Sequence, residues 1–338
     1  MGKSNQPAPW RHSREFASPS SYFSESDVSV DSFDELTRTV DRIQANHRGK
    51  LLWRGQEDSA WGLHSSLFRT LAKRQGTELF RKTPSESMYS ELQRFPDEDA
   101  LVAAEARTLD IARREWRLDS QRSLEILARI QHHGGPTRLI DFSFNPYIAA
   151  WFATAEVAND GVEGRLFALA THGPNRAAAD PQILLDEVWG GNTLPWHAWN
   201  SKELRNENDW GNGALRRFWV PSVYDNRMLA QNAVFVIDGV PISGMTIQSS
   251  FRKKNTGKTN DNWRMADLLA SGSIYMKLVK PDEENSSTTR NMASTFTITI
   301  TSKGKLDIRD RLHNLFGYAD SSIYPDVEGL CRHLSSHL

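Results

Sequence analysis

The sequence predicts an α+β fold: a helical N-terminal half packed on a mixed or antiparallel sheet built mainly by the C-terminal half. Two patterns carry this. Apolar residues recur at helical spacing through most of residues 31–157, whereas runs at 218–223, 233–237, 274–279 and 295–300 read as strands, the last rich in β-branched residues. Two short apolar segments, 50–55 and 138–141, interrupt the helices and are expected to join that later sheet.

Taken in order, residues 1–30 are polar and rich in Ser and Pro, which predicts a disordered or loosely attached tail whose Trp10, Phe16 and Tyr22 dock on the body or on a partner. A single domain is expected over 31–338. It opens at Asp31-Ser32-Phe33-Asp34-Glu35-Leu36, a capped helix start followed by Val40 and Ile43. After strand 50–55, helices are expected over 84–95, 97–117 and 120–132, the last closed by Gly134-Gly135-Pro136. Strand 138–141 then leads into helix 145–157, with Pro146 in its first turn, and strand 166–170 follows. Further helices are expected at 183–189, 262–270, 305–316 and 325–336, with loops at 190–214, 252–262 and 281–292.

Composition narrows the function classes. Lys+Arg 41 against Asp+Glu 42 excludes a uniformly basic nucleic-acid binder and leaves room for a local patch. One cysteine, Cys331, excludes an internal disulfide framework and a Cys-rich zinc module; it reads as a packed thiol in an amphipathic helix. No run approaches the roughly eighteen apolar residues of a membrane span, so a soluble cytoplasmic protein is expected. Most of the eleven Trp are expected in the core, although several lie in segments where a ring could stack on a base or sugar.

Chemistry concentrates in two places. Leu51-Leu52-Trp53-Arg54-Gly55-Gln56 ends an apolar strand in a planar cation beside a residue with no side chain, which suits close approach of a phosphate. Gln131-His132-His133-Gly134-Gly135-Pro136-Thr137-Arg138-Leu139-Ile140-Asp141-Phe142-Ser143 gathers His, Arg, Asp and Ser between two apolar elements. Each residue also has a structural reading. Arg54 fits a buried ion pair, and Asp141 a helix cap or a partner of Arg138. His132 and His133 suit a helix C-terminus, Thr137 a turn, and Gln231 the satisfaction of backbone groups. His132, His133 and Asp141, with Glu105 or His64, are ligand types without a recognised metal spacing, so no metal site is assigned.

Four motifs resemble the FRG domain, named for an aromatic-Arg-Gly signature. They are Trp53-Arg54-Gly55-Gln56 with Ser65-Ser66-Leu67-Phe68-Arg69; the 131–141 segment with Asn145-Pro146 and Phe152-Ala153; Asn226-Arg227-Met228 with Ala230-Gln231 and Phe235; and Ser322-Ile323-Tyr324-Pro325-Asp326-Val327-Glu328-Gly329-Leu330. The likeness runs from about residue 33 to about residue 335. A second, looser resemblance is to the arginine-type ADP-ribosyltransferases and to their fold. It implies NAD as substrate, with Arg54 on its phosphate, Thr137 or Ser143 as a brace and Gln231 near the late acidic position; Asp141, the nearest carboxylate in the motifs, is taken with Arg54 and Gln231 as catalytic. Arg54, Gly55, His132, Thr137, Arg138 and Ser143 would then hold or brace the NAD. Gln231 departs from that pattern where a carboxylate is usual.

The resemblances imply a toxin or antiphage effector that modifies a macromolecular acceptor, with a neutralising antitoxin as a further partner. RNA or DNA would be engaged through Arg252, Lys253, Lys254, Lys258 and Trp263, a basic stretch beside an aromatic ring. The alternatives are a non-enzymatic nucleotide- or nucleic-acid-binding sensor or adaptor and a metal-dependent nuclease.

Overall fold

The computed structural model describes residues 12–13, 18–47, 49–77, 79, 93–176, 180–183, 193–221, 226–237, 239–242, 248–254, 261–282 and 291–337. Its main sheet has eight strands: β1 (Val28–Val30), β2 (Leu51–Gln56), β3 (Ile140–Ser143), β4 (Gly164–Ala170), β5 (Phe218–Trp219), β6 (Ala233–Val236), β7 (Lys277–Leu278) and β8 (Ser294–Ile300). The strand order is β1-β8-β4-β2-β3-β6-β5, with β7 also pairing β8. β8 runs parallel to β1 and β7, and every other pairing is antiparallel. The sheet is therefore mixed, as expected, but β1 to β4 all come from the first half of the chain.

The helices are α1 (Pro19–Phe23), α2 (Phe33–Asn46), α3 (Ser66–Arg74), α4 (Glu98–Arg114), α5 (Ser123–His132), α6 (Pro146–Thr154), α7 (Pro195–Ala198), α8 (Lys202–Glu207), α9 (Asn226–Ala230), α10 (Met265–Ser271), α11 (Ser302–Phe316), α12 (Asp320–Ile323) and α13 (Val327–His337). The period of two along each strand sends alternate side chains into different cores. Leu52, Phe167 and Leu169 meet Phe68 of α3 and Leu269 of α10 on one face. Leu51, Trp53, Leu166 and Ala168 meet α2, α6 and α11 on the other. Burial on both faces explains why residues 166–170 of β4 read as an unbroken apolar run.

Local signals set the ends. Ser32, Ser65 and Asp97 cap α2, α3 and α4 by accepting from Glu35, Phe68 and Ala100 backbone N–H groups. Asn145 caps α6, with Pro146 at its first position. That helix is apolar nearly all round and its inner face is alanine, so its backbone reaches the sheet. A Cβ at Gly55 would lie 1.8 Å from the Ala149 carbonyl oxygen. Gly55 thus admits a helix rather than a ligand at that face.

Three expectations need correction. Within residues 1–30, the described part is built into the body: Tyr22 and Phe23 are buried and β1 extends the sheet, whereas Trp10 and Phe16 lie outside the described residues. Strand 138–141 is shifted to 140–143, because Arg138 and Leu139 are drawn toward α4 and α5. The 190–214 segment holds α7 and α8, and its Trp196 and Trp210 are buried and stacked at 5.3 Å. Their indole N–H groups donate to Glu105 and Glu98, so these rings cover buried carboxylates and offer no base-stacking face. Helices expected at 84–95 and 183–189 fall mostly outside the described residues.

Candidate functional site

One cavity of about 250 Å³ brings the four motifs together: Trp53, Arg54 and Gly55 from β2, Gln131 and His132 from α5, and Asp141 to Ser143 from β3 line it. Phe152 of α6, Arg227 and Gln231 from α9 and its following turn, and Tyr324 after α12 complete it. The opening arises in the sheet. β2 and β3 share a single rung, Trp53 opposite Ser143. Beyond it the Asp141 carbonyl has no strand partner on that side, and Arg54 Nη1 donates to it at 2.7 Å.

The same Nη1 lies 3.7 Å from Asp141 Oδ2, longer than a direct charge-assisted hydrogen bond. That oxygen accepts instead from Gln131 Nε2 at 2.9 Å. The Gln131 amide is fixed in turn, because its Oε1 accepts from the Thr137 hydroxyl at 2.6 Å and the Ser66 hydroxyl at 3.3 Å. A relay of Thr137, Gln131 and Asp141 therefore holds the carboxylate beside Arg54.

Positive charge outweighs negative here. Burial pulls the Arg54 pKa below its usual value, with Asp141 opposing the shift. Arg69 is pulled down to about 10, first by burial and then by the neighbouring Arg54 charge, and it remains a cation at neutral pH. Arg54 Nε and Arg227 Nη1 are buried without hydrogen-bond partners. Arg227 is held with its guanidinium 4.5 Å from the Tyr324 ring centre, and Tyr324 packs edge-on against Trp151 and Phe152. The cavity thus presents Arg54 and Arg227, with Arg69 close by, against one carboxylate, an arrangement suited to an anion.

The expected site residues separate into three groups. Arg54, Gly55, His132, Asp141, Ser143 and Gln231 line the cavity. Thr137 is buried behind it and acts only through Gln131. Arg138 is not at the site, which corrects its assignment as an NAD contact: it is 2 % exposed and paired with Glu98 at 2.9 Å and Glu105 at 3.1 Å. Ser143 braces rather than binds, since its hydroxyl donates to the Gln231 carbonyl at 2.8 Å and accepts from Asn145 N–H. Gln231 Nε2 donates to the Ile323 carbonyl at 3.1 Å, which ties that turn to the C-terminal segment.

Gln131, Arg227, Phe152 and Tyr324 stood inside the quoted motifs but were not assigned roles. Arg227 and Phe152 reach Tyr324 across 97 and 172 residues, contacts with no local signal. Asp141 does not cap α6 and does not meet Arg138; Asn145 and Glu98 take those parts.

The basic stretch is also corrected. Trp263 is buried, packs against Tyr22 at 5.4 Å and donates to Glu25, so its ring cannot stack on a base. Lys253 lies 3.6 Å from Asp261, and Lys254 bonds Glu25 through its backbone and Ser26 through Nζ. Arg252 is exposed, and Lys258 lies outside the described residues. Cys331 is exposed rather than packed. Among the described residues no helix is long and apolar enough to cross a membrane.

A family model described as FRG domain matches residues 49–161. That span carries Arg54, Gln131 and Asp141, and over it the chain is similar to the FRG domain. The motifs around Gln231 and Tyr324 lie beyond the matched residues yet close the same cavity. No curated protein and no solved structure matches the chain.

Proposed function

We propose that the protein is an ADP-ribosyltransferase that takes NAD as substrate and modifies a macromolecular acceptor. One observation carries the reading: three neighbouring strands, β2, β3 and β6, bring Arg54, the Asp141–Ser143 segment and the Gln231 turn to one cavity. These are the parts that the resemblance to arginine-type transferases assigns to the phosphates, the brace and the ribose. The cavity volume suits the nicotinamide–ribose end, with the rest of the dinucleotide along the mouth.

In the proposed reaction the bond between ribose C1′ and the nicotinamide nitrogen breaks, and nicotinamide leaves with the electron pair. The acceptor nucleophile then bonds C1′ and gives up its proton. Positive charge develops on the sugar, so a fixed carboxylate lowers the barrier by acting where that charge appears. Asp141 takes this role, held by Gln131. Arg54 and Arg227 grip the diphosphate, and Gln231 orients a ribose hydroxyl.

A second reading, nucleotide binding without turnover, is favoured by the amide of Gln231 where a carboxylate is usual. Labelled NAD incubated with cell extract tests both. Label transfer by the wild type and none by Arg54→Ala supports the transferase. Saturable NAD binding without transfer or nicotinamide release supports the second reading and overturns the first.

A further inference from the structure

We propose that His132, His133 and Glu328 bind a divalent transition-metal ion of the zinc class at the mouth of the cavity. The two histidines stand at the C-terminal end of α5 and the glutamate in the first turn of α13. One ligand atom from each lies within 4.8 Å of the other two. Two imidazoles and a carboxylate are a borderline donor set that suits Zn²⁺, and three protein ligands leave one position for water or a ligand.

The spacing is that of an exposed ion pair that an ion could draw together. His133 Nδ1 and Glu328 Oε2 are 3.8 Å apart. That is too long for a charge-assisted hydrogen bond, at about 2.7–2.9 Å. It is close to the roughly 3.3 Å between two ligands that each stand about 2.0–2.1 Å from a tetrahedral ion. His133 and Glu328 are both exposed, so side-chain rotation alone can draw the three donors in. His132 lines the cavity, which places the ion beside the Arg54 contact and not within it. An ion there would pin the C-terminal segment that carries Tyr324 to the end of α5. The site stands on these three side chains and does not depend on NAD chemistry.

The test uses the full chain carrying Cys331→Ser, which removes the exposed thiol as a competing ligand, stripped with EDTA and titrated with Co²⁺. The expected result is one Co²⁺ per chain with the intense visible absorption of a four-coordinate site, displaced by Zn²⁺. Glu328→Gln and His133→Ala should each weaken binding at least tenfold. No such band, or a band that survives both substitutions, overturns the proposal. Should either variant melt early in EDTA, histidine acylation of the Cys331→Ser chain decides. Protection of two histidines by stoichiometric Zn²⁺ supports the site, and unprotected histidines overturn it.

Discussion

Arg54 donates to the backbone carbonyl of Asp141 at 2.7 Å while the carboxylate of the same residue stands 3.7 Å away, held by Gln131. The arginine is thus anchored through main chain, and its charge is only partly answered by the side chain. Asp141→Asn should keep the anchor and remove the negative charge. Diphosphate binding should then tighten, by a few-fold in calorimetry, while nicotinamide release falls by at least tenfold. Equal loss of both would mean that the carboxylate merely holds Arg54 in place.

Gly55→Ala should destabilise the fold by several kcal/mol, the range for a forced overpacking with no room to relax. The added methyl would meet the Ala149 carbonyl oxygen at 1.8 Å and the Ala153 nitrogen at 2.8 Å, both backbone atoms of α6. A melting temperature within a degree or two of wild type would refute this packing argument.

Arg138→Met should unfold or strongly destabilise the protein, by about 3–5 kcal/mol, because it strands two buried carboxylates. Glu98 and Glu105 are both buried, and each has a tryptophan N–H as a second partner. Replacing all three charged residues with apolar ones of similar volume should recover only part of that loss, because the buried Trp196 and Trp210 N–H groups lose their acceptors. Denaturant melts of the single and triple variants compare the two.

Stability should fall on mild acidification. His64 is buried and stacked on Phe68, its Nε2–H donating to the Leu269 carbonyl, and burial pulls its pKa from 6.5 down to about 4. Between those values the unfolded chain takes up a proton that the folded chain refuses. Unfolding free energy therefore rises with pH across that window, at about 1 kcal/mol per pH unit from this residue. His64→Gln should flatten the slope measured between pH 4 and 6.5.

Much of the frame was legible because its signals are local. Ser32, Asn145 and Pro146 mark helix starts, and β4 and β8 carry strand composition. The motifs pointed to Arg54, Asp141 and Gln231, and the cavity unites them. Arg138 misled because it sits one turn from the site in sequence, and only Glu98 and Glu105, on another helix, reveal its burial. Trp263 and the 190–214 tryptophans misled for a similar reason: polar neighbours suggested exposure, whereas Glu25, Glu98 and Glu105 satisfy the indoles inside. Arg227 against Tyr324 could not be read, since a cation–π contact between distant segments leaves no periodic trace.

Calorimetric titration of NAD into wild type and Arg54→Ala, with matched melting curves, tests most directly whether the Arg54 cavity is an anion grip. The expected result is micromolar to low-millimolar binding that weakens at least tenfold in the variant, with Arg227→Ala weakening it as well. Equal affinity in all three proteins, or no heat in any of them, would contradict it.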